Sequence, residues 1–222
     1  MNIVVEIDGP VLDVAPVWHR LHVQVAAELG WSALDQATFW RVTRKQGGNA
    51  NLLPGARPLK LKEYYARFQD RLESDDVLAQ LEPHDQIDGV LASLSTQGTL
   101  CLVTLGSNVE ARRVRLEKLR LLRSAGRVEG LSGDPRKRPG ELRALAGAAG
   151  RSVVAAASDS LIRAAGEAGL VAVGVSNGAC SAERLFRAGA GVVTKGLDEL
   201  CAGIREGSGD LARAGLLPPA LG

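Results

Sequence analysis

Short runs of successive apolar residues, set apart by longer stretches of helical periodicity, constrain this chain more than any other feature. The runs are Ile3 to Ile7, Leu100 to Val103, Val153 to Ala157 and Val171 to Val175, with Gly191-Val192-Val193 as a shorter fifth. A strand exposed on one face alternates apolar and polar residues; a strand covered on both faces does not. These runs therefore predict buried parallel strands, and the helical segments between them predict a doubly wound α/β sheet. A chain of 222 residues has room for one such core and a small insertion.

The insertion is predicted after the first strand. From about Ala15 to Glu82 the pattern is helical, with no convincing strand. Pro16 suits a first helical turn, Val17, Leu21, Val25 and Leu29 recur at helical spacing, and Gly30 follows as a C-cap. Ser32-Ala33-Leu34-Asp35 resembles a capping box with Asp in place of Glu. Leu61, Tyr64, Tyr65, Phe68 and Leu72 outline another amphipathic helix, and Gln46 to Pro58 reads as a loop. The predicted organisation is a core formed by residues 1–14 and 83–222 and a helical cap at 15–82. The Gly-, Pro- and Ala-rich tail, 206–222, is expected to be poorly ordered.

Hydrophobic residues make up 45% of the chain and charged residues 23%, enough to bury a core without metal or disulfide staples. Aromatics are only 4%, so Leu, Val and Ala must fill it. No stretch approaches the ~20 apolar residues of a membrane span. The N-terminus runs straight into Ile3-Val4-Val5, with no signal-peptide pattern. Cys101, Cys180 and Cys201 are odd in number and widely spaced, and read as reduced core thiols of a cytoplasmic protein. The net charge of +2 does not point to nucleic acid. Eleven Lys/Arg against four Asp/Glu between Arg112 and Arg143 read as a solvated helix face. The sequence carries no signal for an oligomeric state.

Chemistry in an open α/β sheet is sought at the carboxyl ends of the strands. Four segments there carry suggestive residues. Glu6-Ile7-Asp8-Gly9 sets two carboxylates two apart where the first strand ends, with Gly9 allowing a sharp turn. Thr104-Leu105-Gly106-Ser107 precedes a helix whose capping box is read as Ser107 with Glu110, and such a helix start favours anions. Lys137 is a cation just before another helix, and Ala157-Ser158-Asp159-Ser160 follows a third strand.

In order and spacing these segments resemble the haloacid dehalogenase superfamily, within it the phosphoglycolate phosphatase-like branch with a helical cap. The resemblance runs over nearly the whole chain, through Leu116-Glu117-Lys118-Leu119, Ala164-Ala165-Gly166-Glu167-Ala168-Gly169, Val171 to Val175 and Ala188-Gly189-Ala190. It implies a Rossmann-like parallel-sheet core with an inserted cap, and a small phosphorylated metabolite as substrate. It places the nucleophile on Glu6, the acid/base on Asp8, and the phosphate contacts on Thr104, Leu105 and Lys137. Magnesium would be held by the Glu6 carboxylate, the backbone carbonyl of Asp8 and Asp159.

The chain departs from that family pattern in three places. Glu6 stands where the family has Asp, and the added methylene moves the carboxylate by about 1 Å. Pro10 stands where Thr is usual, which removes a hydroxyl and a backbone donor. In the fourth motif the ungapped register puts Ala157 and Leu161 at the two acid positions, and a shift brings in Asp159 alone. Two readings stay open: a magnesium-dependent phosphatase with Glu6 as an unusual nucleophile, and a catalytically silent member that binds a phosphorylated ligand or a protein partner. His19 and His22 are a further candidate metal pair, three apart on a helix, and Arg41, Arg44 and Lys45 are cap cations that could meet an acidic substrate.

Overall fold

The computed structural model describes all residues except 47–50, 148–151, 208–210, 212–214 and 216–222. Part of the loop read at Gln46 to Pro58 and most of the tail after Glu206 therefore lie outside the described residues. Strand β1 (Asn2–Glu6) leads through a short β2 (Leu12–Asp13) into four helices: α1 (Ala15–Glu28), α2 (Gln36–Gln46), α3 (Pro58–Leu72) and α4 (Asp75–Leu78). The chain returns along β3 (Glu82–Pro83) and α5 (Ile87–Gln97) to β4 (Thr99–Thr104), then α6 (Val109–Lys118) and β5 (Arg127–Gly130). The remainder alternates α7 (Arg138–Ala146), β6 (Ser152–Ala156), α8 (Asp159–Glu167), β7 (Val171–Val175), α9 (Ala182–Arg187), β8 (Val192–Thr194) and α10 (Leu197–Glu206).

Six strands form one parallel sheet in the order β5-β4-β1-β6-β7-β8. The absence of alternation in the apolar runs has its cause here, because both faces of the sheet are covered. Ile3, Val5, Leu100, Leu102, Val153 and Ala155 pack with Leu91, Leu94 and Leu200 of α5 and α10. Val4, Cys101, Val103, Val154 and Ala156 pack on the other face with Leu142, Leu161 and Leu185 of α7, α8 and α9. All three cysteines are buried free thiols. Among the described residues, no helix is long and apolar enough to cross a membrane.

Four of the five predicted strands match within a residue at each end, and Val192–Thr194 is the fifth. The sequence reading missed β5, whose residues Arg127-Val128-Glu129-Gly130 bury only Val128. An edge strand of four residues has one neighbour and little apolar content to announce it. It also missed the β2–β3 ribbon, in which Leu12 pairs with Pro83 and Asp13 with Glu82. That ribbon clips together the two chain segments that enter and leave the helical insertion.

Local signals within the insertion were readable with small corrections. Helix α1 carries its proline in the first turn, and Gly30 beyond its end has φ +73°. Ser32 does not begin a helix; Asp35 does, its carboxylate accepting the Thr38 amide at 3.0 Å just ahead of α2. Ser107 likewise does not cap α6; Asn108 does, its side-chain oxygen accepting the Ala111 amide at 3.1 Å. The His19–His22 pair is no metal site. The backbone amide of Leu34 donates to His22 Nε2 at 2.9 Å, so the neutral ring keeps its proton on Nδ1, 2.9 Å from the Tyr64 hydroxyl. Burial and the neighbouring His19 push His22 down to about 4.

Arg120, just past the end of α6, sits in the left-handed region at φ +61° and is exposed. A side chain there costs about 1 kcal/mol that glycine avoids. Arg120→Gly is therefore expected to raise the urea unfolding midpoint slightly, and a fall in the midpoint would contradict this account.

Candidate functional site

Parallel pairing sets the ends of β1, β4 and β6 side by side, with Glu6 opposite Val103 and Val5 opposite Ala155. A sharp turn follows β1. Gly9 adopts φ +108°, and a Cβ there would lie 2.9 Å from the Ala157 Cβ and 3.1 Å from the Gly178 Cα. The loops after β1, β6 and β7 therefore meet with no room for a side chain at position 9. They floor a cavity of about 330 Å³, lined from the sheet side by Glu6, Asp8, Arg112 and Ser158 and from the insertion by Trp18 and Gln69.

Glu6 is buried, and its Oε2 accepts the backbone amides of Ala157 at 2.8 Å and Ser158 at 2.9 Å. Burial pushes its carboxyl up to about 7, helped by the negative charge of Asp8 and opposed by hydrogen bonds from Ser158 and Ala157. Asp8 is held from two sides. The Thr104 hydroxyl donates to its Oδ2 at 2.7 Å, and Arg112 Nε lies 3.1 and 2.9 Å from its two oxygens. The guanidinium continues to Glu73 at the end of α3, with Nη1 and Nη2 donating to the two carboxylate oxygens at 2.8 and 3.0 Å. Burial raises Glu73, but Arg112 and the Asn108 amide outweigh it and hold the carboxyl below its ordinary value.

The remaining expected site residues divide between this group and positions apart from it. Leu105 lines the cavity. Lys137 is exposed at the start of α7 and does not line it. Asp159, the first residue of α8, is paired with Arg184 at 2.7 Å and Arg163 at 3.0 Å, which together outweigh burial and hold its carboxyl low. The cap cation Arg44 stacks over the Trp40 ring at 5.3 Å and donates from Nε to the Gly178 carbonyl at 3.2 Å. The structure thus gathers Glu6, Asp8, Thr104 and Leu105, and leaves Lys137 and Asp159 outside the cluster.

Arg112 and Glu73 are the residues the sequence reading missed. Arg112 belongs in sequence to a basic run expected to be solvated, yet its side chain is only 3% exposed. A signal was present: Arg112 lies four residues before Leu116, so helical spacing puts it on the buried face of α6. Glu73 carried no comparable mark, because its partner lies 39 residues away in sequence.

A divalent cation such as magnesium needs several oxygen donors converging on one point. Here Glu6 Oε2 is occupied by two amides, and Asp159, the acid expected to complete the set, is held by two arginines apart from the Glu6–Asp8 group. Among the described residues, no group of three His, Cys, Asp or Glu side chains is placed to hold a metal ion. The donor set does not fit magnesium.

No protein-family model and no curated protein sequence matches the chain. Solved structures do. A haloacid dehalogenase-like family hydrolase from Streptococcus pneumoniae is similar at a TM-score of 0.71 with 14% identity, over 91% of this chain and 97% of that one. The chain has the haloacid dehalogenase fold. A HAD family hydrolase from Deinococcus radiodurans, with bound phosphate and sodium, is similar at a TM-score of 0.66 with 18% identity, over 99% of this chain and 98% of that one. CbbY from Rhodobacter sphaeroides, in complex with phosphate, follows at 0.58 with 20% identity, over 90% and 95%. At these identities the haloacid dehalogenase likeness is one of fold, and the chemistry must be argued from this chain's own residues.

Proposed function

We propose that this protein is a catalytically silent member of the haloacid dehalogenase fold, whose cleft binds a small ligand under the helical insertion without phosphoryl transfer. The observation that carries this reading is the state of Asp8, which faces the Arg112 guanidinium and accepts the Thr104 hydroxyl. A general acid/base must be free to meet the leaving group and the attacking water. Here the same contacts that fix Asp8 also engage Thr104, the hydroxyl expected to hold phosphate. Glu6 directs one carboxylate oxygen at two backbone amides, and Lys137 stands outside the cavity.

Charge argues in the same direction. Among the described residues, Glu6, Asp8 and Glu73 line the cavity against a single cation, Arg112. Above pH 7 that leaves two net negative charges facing any phosphate dianion, and no divalent ion is provided for to offset them. The helical insertion acts as the cap, tied down at the end of α2 through Arg44 and at the end of α3 through Glu73.

An aryl phosphate assay with 10 mM magnesium tests this directly. The expected result is no hydrolysis above background, and no thermal shift with orthophosphate at the same concentration. Magnesium-dependent turnover by the native chain, abolished in Glu6→Gln, would overturn the proposal. The feature that favours catalysis is the Glu6 carboxyl itself, which burial pushes up to about 7 at the cavity wall. The same Glu6→Gln comparison decides that point.

A further inference from the structure

We propose that the Arg112 guanidinium is a built-in substitute for a divalent cation: it neutralises Asp8 and, through Glu73, latches the helical insertion to the sheet. This rests on the reading of the cleft as a site without phosphoryl transfer, and it concerns what keeps such a cleft folded and closed.

Both faces of the guanidinium fork are used. One side serves Asp8 in the loop after β1, and the other meets Glu73 in two parallel N–H···O contacts, the strongest arrangement available to this pair. A third acceptor, the Asn108 carbonyl, takes a further N–H at 3.2 Å. The surrounding backbone is shaped to this seat. A Cβ on Gly106 would lie 2.3–2.4 Å from three atoms of the guanidinium, so only glycine at 106 leaves Arg112 where it is. Neighbouring groups finish the joint: the Asn108 amide donates to Glu73 Oε2 at 2.9 Å, and its side-chain nitrogen donates to the Glu73 carbonyl at 2.9 Å and to Asp75 at 2.8 Å.

Two partly buried carboxylates brought together from different elements require a cation. A metal ion would supply two charges and could be removed by a chelator. A guanidinium supplies one charge, stays protonated at any working pH, and is covalently retained. The carboxylate charge it leaves over is stabilised by hydrogen bonds from the Thr104 hydroxyl and the Asn108 amide. The joint is therefore held by a single fixed cation, with one net negative charge left over and no divalent ion.

The test is thermal unfolding and titration calorimetry with magnesium or calcium chloride against a chelator. For the native chain the midpoint is expected to stay within about 1 °C between 10 mM chelator and 10 mM divalent salt, with no binding heat. Arg112→Met leaves Asp8 and Glu73 facing each other, so its lowered midpoint is expected to recover by about 3 °C or more in 10 mM divalent salt. Gly106→Ala displaces the guanidinium while keeping every charge, and is expected to gain the same dependence. The double variant Asp8→Asn with Arg112→Met, which retains one carboxylate, is expected to show none.

A divalent-dependent midpoint or binding heat in the native chain would overturn the assignment. So would Arg112→Met and Gly106→Ala both folding and both ignoring divalent salt. If neither variant folds, the native response decides alone. The two proposals fail separately: metal-independent hydrolysis would end the silent reading and leave Arg112 in its role, whereas metal binding without turnover would remove Arg112 from that role only.

Discussion

Arg112→Met is expected to lower folding stability by about 3–5 kcal/mol, the cost of leaving a buried charge partner uncompensated. Arg112 is nearly inaccessible, while Asp8 and Glu73 keep 17% and 19% side-chain exposure, so the lower end of that range applies. Urea unfolding at low and high salt measures it. Because the pair is shielded from solvent, the loss should change little with ionic strength, unlike that of a surface pair. Adding Asp8→Asn to Arg112→Met should return part of the loss, since it removes one of the two stranded carboxylates. A double-mutant cycle then reports a coupling well above the few tenths of a kcal/mol found between independent sites. Strict additivity would show that the Asp8–Arg112 contact carries no energy of its own.

Glu6→Gln should stabilise the protein at pH 8 by up to about 3 kcal/mol and leave it nearly unchanged below pH 4.5. The folded carboxyl titrates near 7, above its ordinary 4.5, so the folded state holds the proton more tightly than the unfolded chain. The stability this contributes is fully present below 4.5 and is lost as the pH rises through 7. Glutamine keeps a carbonyl oxygen for the Ala157 and Ser158 amides and never ionises, so its advantage opens over that window. His22 runs the other way: its folded value of about 4 lies below the ordinary 6.5, so its contribution is lost as pH falls from 6.5 towards 4. Both chains share His22, and the difference between them isolates Glu6. A variant advantage that does not vary with pH would place the effect in packing and not in the charge.

These results would bear on why a carboxylate with an extra methylene stands at the strand end where the family resemblance expects an aspartate. In this chain the longer carboxylate reaches across to the start of the loop after β6 and satisfies two amides there. Ala157, which falls at an acid position in the ungapped fourth-motif register, instead packs its methyl group against Gly9 and Gly178. Glu6 thus holds the start of the loop after β6 against the end of β1.

The sheet was legible because its cause is local and repeated. Val153 to Ala157 or Val171 to Val175 can satisfy successive apolar side chains only between two covered faces, and the helices that cover them are written in the intervening periodicity. Pro16, Gly30 and the 61–72 stripe marked the insertion for the same reason. Strand β5 escaped because an edge strand with one buried residue leaves no such trace.

The sequence by itself determined a parallel α/β sheet, a helical insertion after its first strand, and the meeting of Glu6, Asp8 and Thr104 at one edge. All strands of a parallel sheet present their carboxyl ends along one edge, so residues at those ends share it. Only the tertiary structure decided what those groups do. Asp8 and Arg112 are 104 residues apart, and Glu73 and Arg112 are 39 apart. A charge written within a basic run is indistinguishable from its solvated neighbours until folding removes the water around it. Burial then gives Arg112 two carboxylate partners, and Glu6-Ile7-Asp8-Gly9 becomes a held pair of acids.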